Sequence, residues 1–160
     1  MANDFNDILV LFVNNITNSD YTYGMLTKSD IRGGTTSISA TYRVMRDGVV
    51  NTYSISGRSF SAYSGNPVAL RLSGGKLDHM FALTAITTGA RVDKVEPGRI
   101  KLKSGSVYTM ADDVQIFKYV SAANYTQLSL AELAETDKSV SLYAERSVQN
   151  GGIIRVIVVR

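Results

Sequence analysis

The chain has 160 residues, 44% of them apolar and 19% charged, with a formal charge of +3, one His, no Cys and no Trp. At this length about two-thirds of the unfolded surface can be buried, so a core forms without covalent staples. Zero Cys excludes disulfide scaffolds, cysteine-ligated zinc and thiol nucleophiles, and a lone His leaves a single imidazole for any hydrolytic triad.

Period-two patterning dominates the chain. Residues 8–13 form an apolar run that reads as a buried strand, closed by the turn cluster Asn14, Asn15, Asn18, Ser19 and Asp20. A second strand covers 21–27. In 37–46, Ile38, Ala40, Tyr42 and Val44 alternate with Ser39, Thr41, Arg43 and Met45. Asp47-Gly48 then supplies a type I′ turn into a strand over 49–55, which predicts a hairpin. A Gly/Ser/Tyr-rich stretch, 56–66, leads to Pro67. Next comes a second hairpin, with Val68, Leu70 and Leu72 before Gly74-Gly75 and a return strand over 76–83. Residues 84–89 read as a small-residue connector.

Beyond the connector, 92–95 is a short strand and Glu96-Pro97-Gly98 a turn. In 99–103 Ile100 and Leu102 point inward, while Arg99, Lys101 and Lys103 share the outer face. Residues 106–110 form the next strand, Asp112-Asp113 closes it as a solvated turn, and 114–120 resumes. Ser129 three residues before Glu132 has capping-box spacing, with Leu130, Leu133 and Ala134 as the apolar stripe of a short helix near 129–135. Strands over 138–146 and 153–159 flank Asn150-Gly151-Gly152 as a last hairpin. The expected fold is all-β and mostly antiparallel. It comprises two tandem small barrel- or sandwich-like domains, 1–88 and 89–160, the second carrying the helix.

Few side chains suggest chemistry. Asp112-Asp113 lacks the further ligands of a calcium loop. His79 shares its strand face with Leu77, Phe81 and Leu83 and has no Ser or Asp at a motif spacing. The pairs Gly33-Gly34, Gly74-Gly75 and Gly151-Gly152 precede no helix and carry no Lys-Ser/Thr signature, so they are turns and not phosphate loops. No catalytic residue, metal site or cofactor is expected. Arg99, Lys101 and Lys103 are the candidate face for an anionic ligand, and Tyr21, Tyr23 and Tyr63 are candidates for stacking on a glycan.

The isoelectric point near 9.2 suggests nucleic acid. Yet 17 basic side chains nearly cancel 14 acidic ones, and the densest basic stretch, 91–103, is interrupted by Asp93 and Glu96. Nucleic acid is therefore not an expected partner. The apolar run 8–13 is too short for a membrane span or a signal peptide. The abrupt start, and the end at Arg160 directly after an apolar strand, read as a piece of a longer polypeptide, with any export signal and anchor outside these residues.

Three stretches carry a family resemblance: Asn66-Pro67-Val68-Ala69-Leu70-Arg71-Leu72-Ser73-Gly74-Gly75-Lys76, then Gly89-Ala90-Arg91-Val92-Asp93-Lys94-Val95, then Val107-Tyr108-Thr109-Met110-Ala111-Asp112-Asp113-Val114-Gln115-Ile116. Together with the ending 142–158 they resemble β-rich modules of large secreted Gram-positive, clostridial-type surface proteins that carry S-layer homology domains. The resemblance implies an extracellular, non-catalytic structural or interaction module at the bacterial cell surface, acting as spacer or assembly element. The expected partners are neighbouring domains, or a second copy through the terminal strands 8–13 and 153–159 as sheet edges. Two alternatives stand beside it: a binding module for glycan or cell-wall polymer, and an OB-like nucleic-acid-binding barrel.

Overall fold

The computed structural model describes residues 21–160, and the strand expected over 8–13 lies outside them. Strands β1 (Thr22–Gly34), β2 (Ser37–Arg46), β3 (Val49–Ser56), β4 (Pro67–Ser73) and β5 (Lys76–Ala82) form a five-stranded antiparallel sheet in the order β3-β2-β1-β4-β5. The alternation in β2 decides its faces: Ala40, Tyr42 and Val44 enter a first core with Leu26, Val68, Leu70, Leu77 and Met80. The edges β3 and β5 come within 8 Å of each other at Cα, so the sheet curls around this core. Residues 57–66 cover its open side. Ala62 is buried there, the Phe60 N–H donates to the Tyr42 hydroxyl at 2.8 Å, and the Leu26 N–H donates to the Asn66 carbonyl at 2.9 Å. In β1, Gly24 permits close approach of β2, since a Cβ there would fall 2.6 Å from the Met45 carbonyl oxygen.

The second sheet contains β6 (Thr84–Ala90), β7 (Val92–Glu96), β8 (Arg99–Leu102), β9 (Val107–Ser121), β10 (Asn124–Gln127), β11 (Val140–Ala144) and β12 (Ile154–Val159). Its order is β6-β11-β12-β9-β8-β7, with β10 paired to β9. The helix α1 (Leu130–Ala134) begins with the anticipated capping box: the Glu132 N–H donates to Ser129 Oγ at 3.2 Å, and the Ser129 N–H donates to Glu132 Oε2 at 2.8 Å. Leu133 of this helix closes a second core with Val92, Ile100, Leu102, Leu142 and Ile157. Among the described residues the fold is all-β, mostly antiparallel, with one short α-helix, as expected.

Three local expectations are corrected. Residues 84–89 are not a connector but most of β6, and the chain passes between the sheets at Leu83. Asp112-Asp113 does not end a strand. β9 leaves β8 after Thr109, joins β12 in parallel from Met110, and carries both aspartates in the irregularity between the Met110 and Gln115 pairings. The run 153–159 is not an edge, because β12 is hydrogen-bonded to β11 on one side and β9 on the other, and all six of its residues are buried. Ile154, Ile157 and Val159 face the second core, whereas Val156 and Val158 face the first sheet. A strand covered on both faces carries apolar residues on both, Arg155 with its Glu145 partner excepted, which is why this run does not alternate.

The two sheets meet in a third core. Tyr23, Met25, Met45, Ala69 and Leu83 lie against Phe117, Val156 and Val158. Each large side chain fully buried in such a contact contributes roughly 1.5–3 kcal/mol. Polar contacts set the register. The Asp47-Gly48 turn, with φ of 53° and 77°, presents its backbone to the second sheet. There the Asp47 N–H donates to Gln115 Oε1 at 2.9 Å, Gln115 Nε2 donates to Asp47 Oδ1 at 2.9 Å, and the Gly48 N–H donates to Gln127 Oε1 at 3.2 Å. Gln115 is buried while Asp47 and Gly48 are exposed, so its removal costs the net value of these bonds, the turn groups turning to water. Gln115→Leu is expected to lower stability by about 0.5–1.5 kcal/mol at unchanged urea m-value. A loss under about 0.5 kcal/mol, the range of an ordinary surface change, would show that the turn docks without this bond.

Candidate functional site

The basic strand expected to take an anion is partly neutralised by its neighbour β7. Lys94 Nζ lies 2.8 Å from Glu96 Oε1, Arg99 lies 3.2 Å from Glu96 Oε2, and Lys101 lies 3.7 Å from Asp93. The Lys94 hydrogen bond and charge, aided by Arg99, hold the Glu96 carboxyl below its ordinary range, and Glu96 in turn raises Lys94. Lys103 falls just beyond β8 and is exposed. Arg99 and Lys101 help line a shallow cavity of about 440 Å3, with Glu96 in its wall. The sequence separates the β7 acids from the β8 bases, so the outer face looks basic until the hairpin superimposes them.

The three candidate tyrosines do not form one platform. Tyr23 is 2% exposed and inside the third core, where its ring lies under Arg155 with the guanidinium 4.8 Å from the ring centroid. Its hydroxyl donates to Glu145 Oε1 at 2.7 Å, and Arg155 Nε donates to the same oxygen at 3.0 Å. No ring face is left for a sugar, so a stacking role for Tyr23 is withdrawn. Tyr21 is half-buried, edge-on to Phe81 at 5.4 Å and covered by Arg71 at 5.5 Å. Tyr63 lies on the 57–66 cover with 72% of its surface exposed.

His79 lies on an aromatic shelf, 5.5 Å from the Phe60 ring and 5.9 Å from the Phe81 ring. The expected face holds for Phe81 and Leu83 but not for Leu77. A bulge between Arg71 and Leu72 makes two residues of β4 oppose three of β5, and Leu77 turns into the first core. Asp78, the residue left over, bridges Arg71 at 2.8 Å and Arg58 at 3.7 Å. Among the described residues no group of three or more His, Asp or Glu is placed to hold a metal ion.

A polar face on β1 and β2 went unrecognised in the sequence. Lys28, Asp30 and Arg32 stand opposite Arg43, Thr41 and Ser39, and together they line a cavity of about 360 Å3. The β2 half was readable, since Ser39, Thr41 and Arg43 alternate with core residues. The β1 half was not, because β1 continues well beyond its apolar stretch and a bulge between Leu26 and Lys28 resets its faces.

No protein-family model matches the chain, and neither a curated protein nor a solved structure matches it. The contacts of Tyr23 generate a pH-dependent expectation. Burial first, then the hydrogen bond to Glu145, pushes the Tyr23 phenol above its ordinary value of 10.0. A folded-state value above the unfolded one means the stabilisation is whole below about pH 10 and is lost as pH rises beyond it. Tyr23→Phe is expected to cost about 1.5–3 kcal/mol near neutrality, the range for a hydrogen bond to a charged group. It should also flatten the decline in stability above pH 10. Parallel alkaline declines in the two proteins, measured by urea unfolding, would contradict this coupling.

Proposed function

We propose that the chain is a non-catalytic structural module of an exported bacterial cell-surface protein, of the S-layer-associated kind its strand and turn patterns resemble, and that it acts as a spacer. The third core carries this reading: it ties the two sheets together through apolar contact, the Asp47-Gly48 turn and the Tyr23–Glu145–Arg155 group. A spacer must keep its shape under traction. Traction on β12 has to break two ladders, one to β11 and one to β9, and to expose side chains buried on both faces. Antibody raised against the folded chain should label intact cells of the source bacterium, with the label removed by external protease. Labelling only after lysis would overturn the surface assignment.

Assembly is favoured by one further observation, although 153–159 is not the edge expected for it. Among the described residues β3 pairs only with β2, and its sequence VVNTYSIS has neither a charge nor a proline to block an incoming strand. Val49 and Val50 are exposed at its start. In the assembly version, light scattering shows mass rising with concentration, and Val50→Lys suppresses the rise. A constant monomer mass at high concentration would remove assembly and leave the spacer reading intact.

A further inference from the structure

We infer that the polar face of β1 and β2 is a binding site for an anionic carbohydrate chain, one that carries carboxylate, sulfate or phosphate groups on a hydroxyl-rich backbone. The inference is independent of the spacer reading.

It starts from an unbalanced pair of charges. Lys28 and Arg43 are direct cross-strand partners, both exposed, on the same outward face. Like charges directly opposite each other destabilise a sheet. Where cations of the described surface do sit beside carboxylates, the pairs are close, as for Arg32 with Asp30 at 3.0 Å and Lys94 with Glu96 at 2.8 Å. Neither Lys28 nor Arg43 has a carboxylate within 4.0 Å among the described residues, and the nearest acid on the face, Asp30, is engaged by Arg32. An anion between the two cations removes the repulsion and accepts from both.

The surroundings define the rest of the ligand. Arg32 lies four positions along β1 from Lys28, roughly 13 Å at the usual rise per residue, so cationic groups mark both ends of the cavity. Between them the face presents hydroxyls. Ser39 and Thr41 line the cavity, and Thr41 Oγ1 lies 3.4 Å from Ser54 Oγ on β3. The strip has no outward aromatic or aliphatic side chain: the apolar residues of β2 at Ala40, Tyr42 and Val44 point into the first core. Peptide partners commonly bring an apolar anchor and single-stranded nucleic acids bring bases to stack, and the strip has a seat for neither. A hydroxylated chain with spaced anions needs neither, since alternating hydroxyl and cationic groups satisfy it.

Dextran derivatives provide the test, because one neutral backbone can carry different anions. The full chain is titrated calorimetrically with dextran, carboxymethyl dextran, dextran sulfate and dextran phosphate at low salt, with poly-glutamate and oligo-dT as competing classes. Binding to at least one charged dextran is expected, with none to neutral dextran, and the preferred derivative identifies the anion. Lys28→Gln and Arg43→Gln should each weaken binding at least tenfold without lowering the melting temperature, whereas Lys101→Gln, on the ion-paired strand, should change it less than twofold. The inference is overturned if no charged dextran binds, if poly-glutamate or oligo-dT binds more tightly than every dextran, or if Lys101→Gln weakens binding as much as Arg43→Gln does.

Discussion

Strand β12 is apolar on both faces, and such a strand is stable only when both faces are covered. One face has the second core, closed by Leu133 of the capped helix. The other has Val156 and Val158, which share the third core with Tyr23, Met25, Met45 and Ala69 of the first sheet. Contact between the sheets is therefore a condition of the second sheet's own stability. The first sheet depends on it too: Met25 and Ala69 belong to strands whose alternate residues already fill the first core, so these positions are apolar with no other place to be buried. The layers run first core, first sheet, third core, second sheet, second core.

Apolar contact is non-directional, so the relative register of the sheets needs polar contacts. Gln115 reads the backbone and side chain of Asp47 at once, a pairing available because the type I′ turn leaves its N–H groups pointing outward. The Glu145–Arg155 pair lies deeper. Arg155 retains only 9% side-chain exposure, and its desolvation is offset by the carboxylate at 3.0 Å and the Tyr23 ring. Removing one member of a buried pair is costly because the other remains buried and unpaired.

Much of the architecture was legible in the sequence where the signal is local. The Asp47-Gly48 hairpin, the alternation in β2 and the Ser129–Glu132 cap each depend on neighbouring residues and reappear as read. What failed depended on distant residues. The run 153–159 looks the same as a terminal edge or a buried centre until its coverage is known, and only the parallel pairing with β9 decides. The basic look of Arg99 and Lys101 vanished because Asp93 and Glu96 are folded onto them. Tyr23 looked like a surface ring because its partners, Glu145 and Arg155, are far along the chain. A bulge misled the reading of the face at Leu77, since one extra residue moves every later side chain to the opposite face.

A shared core makes cooperativity the central claim: the two sheets should open together. Native-state hydrogen exchange reads this directly, by comparing the amides of Tyr42 and Leu70 in the first sheet with those of Leu142 and Ile157 in the second. One common opening free energy, falling with the same denaturant slope for all four, is the result the shared core predicts. A first sheet that exchanges at a clearly lower free energy, while Leu142 and Ile157 stay protected, would contradict it.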